Sequence, residues 1–206
     1  MNATVADLEA VLDFAAEVQS SVNRVDRVLP DLRRLLDAAH ANYRLVGGAA
    51  VVHHGYVRTT QDLDLLLDPV TSRRLDPLLA AHGFERVSPT RLRHRATGVP
   101  VDLLLAGEPM PRQGSLAYPA PESLAASADD PAFVGLAGLF ELKLHAGRHQ
   151  DLADVVALLK RLDEGEYLRV EASLPAGLRK DLSELRRDAL EELGWEGFRG
   201  TDRADR

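Results

Sequence analysis

The chain has 206 residues, no cysteine, and 32 acidic against 25 basic side chains, for a net charge of −7. That length suffices for one core with a small helical appendage, and 45% hydrophobic with 28% charged residues is an ordinary globular composition. Disulfides and Cys-ligated metals are excluded, and the acidic balance argues against a surface that coats nucleic acid throughout.

No apolar run is long enough to span a bilayer, and the opening MNATVADLEAVLDF lacks the basic-then-apolar pattern of a signal peptide. The expectation is a cytoplasmic protein with no membrane partner. Residues 5–20 place Leu8, Val11, Leu12, Ala15 and Val18 at helical spacing. A second amphipathic helix carries Leu32, Leu35, Leu36 and Ala39, with Pro30 suited to its first turn. Residues 43–46 read as a short strand stopped by Gly47 and Gly48, and residues 49–54 as a brief helix ending at Gly55. Residues 62–68 read as a strand with Leu63, Leu65 and Leu67 on one face, and residues 71–82 as a helix closed by Gly83.

Residues 91–95 and 99–105 suggest a hairpin around Thr97-Gly98. The Pro-, Ser- and Ala-rich stretch 106–131 is the best boundary before helices near 134–146, 151–162 and 176–193, with a loose terminus from Gly194. The expected organisation is an N-terminal helical segment (1–40), an α/β core (41–110) and a C-terminal helical part (111–206). The fold class is α+β, a small mixed sheet flanked by helices.

The informative segment is YRLVGGAAVVHHGYVRTTQDLDLLLD, residues 43–68. Asp62 and Asp64, two apart on a strand, project to one face, where their repulsion calls for a cation. Hard carboxylate ligands suit Mg²⁺, which is often shared with substrate phosphates. Gly47 and Gly48 let backbone approach a phosphate closely, with free N–H groups of the following helix aimed at it.

Gly-Gly, a short helix and then Arg58-x-Thr60-x-Asp62-x-Asp64 resembles the DNA-polymerase-β-type nucleotidyltransferases, and within them the AbiEii-like and minimal nucleotidyltransferases of bacterial toxin–antitoxin systems. The resemblance runs from about Tyr43 to Leu159. It implies a third carboxylate on a neighbouring strand, matched by Asp102 in Val99-Pro-Val-Asp102-Leu-Leu-Leu. It also implies a later Lys-x-x-Ala…Asp-x-x-Asp element, matched by Lys143, Ala146, Asp151 and Asp154. Many members carry a serine where this chain has Gly48, so backbone or Arg58 would take over that triphosphate contact.

The resemblance further implies displacement at the α-phosphate of an NTP such as ATP. Two Mg²⁺ ions would be held by Asp62, Asp64 and Asp102, and Gly47, Gly48, Arg58 and Lys143 would contact the nucleotide. Asp102 is also a candidate to deprotonate the acceptor hydroxyl. The acceptor reading is tRNA, as in a toxin-like enzyme with an antitoxin partner. Alternatives are an antibiotic of the aminoglycoside type, or a non-catalytic nucleotide-binding interaction module. Asp151 reads equally well as a first-turn helix residue favoured by capping and dipole, with Gly147 breaking the helix before it. His145 and His149 do not make a zinc protease pair, because Ala146 stands where a Glu is needed. Of His53 and His54, one is expected to pack and one to face solvent. Arg91, Arg93 and Arg95 alternate along one strand and form a candidate RNA-facing patch.

Overall fold

A computed structural model describes residues 24–110 and 116–201, with side chains to residue 194. The helix expected over residues 5–20 lies outside the described residues. Residues 24–38 form helix α1, so Pro30 stands inside a helix that is already running. Its ring is exposed, while Val28, Leu32, Leu35 and Leu36 are fully buried, and that stripe holds the helix across the lost N–H.

The sheet is built from β1 (Tyr43–Val46), β2 (Leu63–Leu67), β3 (Phe84–Ser88), β4 (Arg91–His94) and β5 (Pro100–Leu105). Their order is β1-β2-β5-β4-β3. The β2·β5 pair is parallel and the other pairings are antiparallel, so the α+β class with a mixed sheet is observed. Leu63, Leu65 and Leu67 are fully buried, as their alternation required, and each contributes about 2 kcal/mol by leaving water. Leu66, on the opposite face, is equally buried, because helices cover that side too. Asp31 of α1 reaches His94 on one face. On the other, Leu139 and Leu142 of α4 (Leu136–Ala146) approach Asp64, Asp102 and Leu104.

Helix α2 (Gly47–His53) begins two residues earlier than its side chains suggest, since Gly47 turns the chain at φ 59°. The expected helix over 71–82 is broken. Here α3 (Pro69–Leu75), capped by the Asp68 carboxylate on the Thr71 amide at 2.8 Å, gives way to two 3₁₀ turns, Asp76–Leu78 and Ala80–His82. Pro77 is the physical reason, since it lacks the N–H that would bond the carbonyl of Arg73, although Asp76 itself keeps helical angles of φ −52° and ψ −49°. Gly83 does close the segment, at φ 81°. Strand β3 carries only one fully buried residue, Phe84, and has a register shift between Arg86 and Ser88.

After residues 106–131, Ala132–Val134 runs beside β1, with the Leu45 amide donating to Ala132 O and the Val134 amide to Leu45 O. Helices α4, α5 (His149–Leu159), α6 (Glu164–Ser173) and α7 (Ala176–Thr201) follow. Helix α6 rests on a capping box between Asp163 and Glu166. Arg186 of α7 donates to Leu159 O and Leu162 O at the end of α5, adding a second bond to Leu159 O beside that from the Leu162 amide. Helix α7 continues through Gly194 to Thr201, where a loose terminus was expected. Gly194, Gly197 and Gly200 each cost about 1 kcal/mol in a helix, and α7 runs on through them. The buried apolar residues form one cluster that includes Leu32, Leu65, Leu139, Leu158 and Leu182. No helix among the described residues is long and apolar enough to cross a membrane.

Candidate active site

Strand register sets the site. Val46 pairs with Asp64, Asp64 with Asp102, and Asp102 with Arg91, so four strands contribute one continuous row. Residues directly opposite one another share a face of the sheet. Asp64, Asp102 and Arg91 therefore project together, beside a cleft of about 240 Å³ whose lining includes Gly47, Lys143, Arg148 and Tyr118.

Gly47 belongs there for a steric reason. A Cβ at this residue would stand 1.7 Å from Asp64 Oδ2, and φ 59° is strained for any residue with a side chain. The glycine and the carboxylate thus occupy adjoining space. Gly48 has a different role. It is buried, and a Cβ there would lie 2.5 Å from Thr60 Oγ1 and 3.0 Å from an Arg58 nitrogen. The Thr60 hydroxyl fills the volume that a side chain at residue 48 would take.

No hydrogen-bond donor among the described residues reaches the Asp64 side chain. Burial, followed by the neighbouring charges of Asp62 and Asp102, pushes its carboxyl up to about 6, against the smaller opposing pull of Lys143 and Arg148. Asp102 is engaged, with Arg91 Nε 2.5 Å and Nη2 2.9 Å from its two oxygens. Asp62 precedes β2 and accepts from Thr60 Oγ1 at 3.3 Å.

The helical wall carries a second set of charges. Lys143, 4% exposed, donates to Asp151 at 3.1 Å and to Asp154 at 2.7 Å. Arg148 forks onto Asp151 at 2.6 and 3.1 Å, and Gln150 donates to Asp154 at 3.0 Å. Arg58 donates through Nη2 to Asp154 at 3.0 Å. Its Nε stands 2.8 Å from the same carboxylate but points off the bonding direction, leaving that N–H unmatched. Burial would raise the Asp151 carboxyl, but the Arg148 hydrogen bond and Lys143 outweigh it and hold it below the usual carboxylate range. This network exists because Gly147, at φ 60°, ends α4 and lets α5 restart at His149, turning Asp151 and Asp154 back towards Lys143. Asp151 sits in the first turn of α5 but makes no side-chain cap.

The structure therefore brings Gly47, Asp64, Asp102 and Lys143 to one cleft. Asp62, Gly48 and Arg58 lie outside its lining, Asp62 because it precedes β2 and is turned to Thr60. Among the described residues, no three Asp, Glu or His side chains are grouped closely enough to hold a metal ion. Tyr118 and Arg148 are cleft residues that the sequence did not single out. Arg148 lies inside the Lys143–Asp154 motif, which was a usable signal, whereas Tyr118 lies in a Pro- and Ala-rich stretch with no periodicity. Burial, then the nearby Asp64, raises the Tyr118 hydroxyl above its ordinary value.

The remaining expectations divide. Both histidines of the 53–54 pair pack, and neither faces solvent freely. His53 stacks on Phe133 with ring centres 4.2 Å apart and bonds Ser127, while His54 bonds Val134 O. Burial lowers the His54 pKa. Arg91 and Arg93 share the exposed face of β4, but Arg93 is tied to Glu85, with Arg95 3.8 Å from the same acid.

No protein-family model and no curated protein matches the chain. Among solved structures it is similar to a Thermotoga maritima protein provisionally described as a nucleotidyltransferase. The match has 13% identity over 66% of this chain and 95% of that one, with a TM-score of 0.43. At that similarity, function has to be read from the site itself.

Proposed function

We propose that this chain is a metal-dependent nucleotidyltransferase that moves a nucleoside monophosphate from an NTP to an acceptor hydroxyl. One observation carries the reading. Asp64 is a carboxylate with no donor among the described residues, raised to about 6 by burial and by two neighbouring acids, and it stands against a glycine backbone in the lining of a cleft. Such a carboxylate is stabilised in its charged form by a cation, and oxygen-rich sites with room for substrate phosphates suit Mg²⁺.

In this reading Asp62, Asp64 and Asp102 would close round two metal ions from positions that are not yet grouped as a ligand set. The ions would supply neutralisation of charge on the reacting phosphate. The chain's own contribution is placement. Gly47 brings backbone to the cleft with no side chain intervening, and Asp102 takes the proton of the acceptor hydroxyl. That oxygen forms its bond to the α-phosphorus as the bond to the pyrophosphate oxygen breaks. Lys143 and Arg148 present positive charge in the wall, already shared with Asp151 and Asp154, and Tyr118 offers a ring to a base.

The proposed acceptor is tRNA, which would make the enzyme toxin-like, with an antitoxin protein as partner. The pairing of Arg93 and Arg95 with Glu85 favours a second reading, a small cationic acceptor of the aminoglycoside type, because it removes much of the positive charge an RNA would seek. Incubation with each α-³²P-labelled NTP, Mg²⁺ and either total tRNA or aminoglycosides tests both. Label should appear on one acceptor class and be lost in Asp64→Asn. Absence of label on either class with any NTP would overturn the proposal.

A further inference from the structure

Arg91 stands next to Asp102 in the row that carries the site. Its two nitrogens meet both oxygens of the acid, the fork geometry that makes arginine–carboxylate pairs specific. Yet the pair is not enclosed, with the Arg91 side chain 52% exposed and that of Asp102 25%. The guanidinium can swing into water without leaving a hole. The other cations around the cleft have partners of their own. Lys143 is held by Asp151 and Asp154, Arg148 by Asp151, and Arg58 by Asp154. Among the described residues, Arg91 is the cation bonded to one of the three acids Asp62, Asp64 and Asp102, and it turns Asp102 towards β4.

We propose that Arg91 is the resident counter-cation of this carboxylate cluster, holding Asp102 until a divalent cation replaces it and thereby setting the cation affinity of the site. The inference rests on the reading of these three acids as cation ligands. A dication at Asp64 and Asp102 meets a competitor for the Asp102 oxygens and a positive charge a few ångströms away, and both oppose its binding. The competition is built in by register, because the β4·β5 pairing leaves Arg91 no other acid directly opposite. Arg91 is a positioning residue here, acting through Asp102.

Calorimetric titration of the full chain with Mn²⁺ at one ionic strength tests this, comparing wild type with Arg91→Gln, Arg91→Lys and Arg93→Gln. Arg91→Gln should bind Mn²⁺ roughly three- to ten-fold tighter, the size expected for losing an exposed ion pair and a nearby like charge. Arg91→Lys, which keeps the charge, should return most of the way to wild type. Arg93→Gln makes the same charge change on the same strand face, but beside Glu85, and should stay within about two-fold. Equal or weaker binding by Arg91→Gln, or an equal gain in Arg93→Gln, would overturn the inference while leaving the metal reading intact. No Mn²⁺ binding by any variant would overturn both.

Discussion

Asp64→Asn should make the cation-free protein more stable, and only above a definable pH. The carboxyl is raised from 3.8 to about 6, and each tenfold change in proton affinity corresponds to about 1.4 kcal/mol. Ionised Asp64 therefore costs the fold at most about 3 kcal/mol. The side chain is partly open to the cleft, and solvent reduces that ceiling to about 1–3 kcal/mol. Between pH 4 and 6 the native state holds a proton here that the unfolded chain has lost. Stability from this group thus falls as pH rises through that window, and the full penalty applies above about 6. Asparagine keeps the shape and carries no charge. In a chelator, Asp64→Asn should melt above wild type at pH 7.5 by roughly 2–12 °C, with the gap closing near pH 4. Adding Mg²⁺ or Mn²⁺ should raise the wild-type melting temperature at pH 7.5 and leave that of Asp64→Asn nearly unmoved. Differential scanning calorimetry across pH reads both effects. A gap independent of pH, or a wild type as stable as the variant at pH 7.5, would refute the account of Asp64 as an uncompensated buried charge.

Gly47→Ala should lose about 2–4 kcal/mol in chemical denaturation, from the collision with Asp64 and the left-handed backbone together. Asp64→Ala in the same chain should recover part of that loss, and simple additivity would show that the two do not share space. Lys143→Ala strips the cation bonded to both Asp151 and Asp154 and should cost about 3–5 kcal/mol of stability. An unchanged melting temperature with weakened NTP binding would make Lys143 a nucleotide ligand instead. If tRNA docks on β4, Arg93→Gln with Arg95→Gln should reduce the slope of log affinity against log salt by up to about two phosphates' worth and leave NTP binding alone. An unchanged slope would place the acceptor elsewhere.

What could be read from the chain follows from how local each signal was. The alternation of Leu63, Leu65 and Leu67 depends on near neighbours in sequence, so β2 was legible almost to its ends. Strand β3 was not, since Phe84 is its one fully buried residue and pairing with β4, between residues three to ten apart, is what holds it. Helix α6 was legible in principle, for Asp163-x-x-Glu166 is a capping box written in the sequence. Hydrophobic periodicity does not mark it, because Tyr167 is its one buried side chain and it has no apolar stripe.

The site divides along the same line. Asp62 and Asp64 announce themselves by their spacing of two, although Asp62 stands just before β2, and the role of Gly47 follows once the strand before it is seen. Asp102 needed a second strand, and its pairing with Asp64 is a fact of the β2·β5 register that no periodicity contains. Lys143 shows the limit best. From the sequence it is expected as a nucleotide contact. The turn at Gly147 brings two buried carboxylates to it, an arrangement that expectation does not contain. Each acid of the Arg58–Asp154–Lys143–Asp151–Arg148 chain is held by two cations, so the network favours a fixed wall. A fixed wall gives the mobile partners across the cleft, exposed Arg91 and any arriving cation, a constant surface against which to exchange.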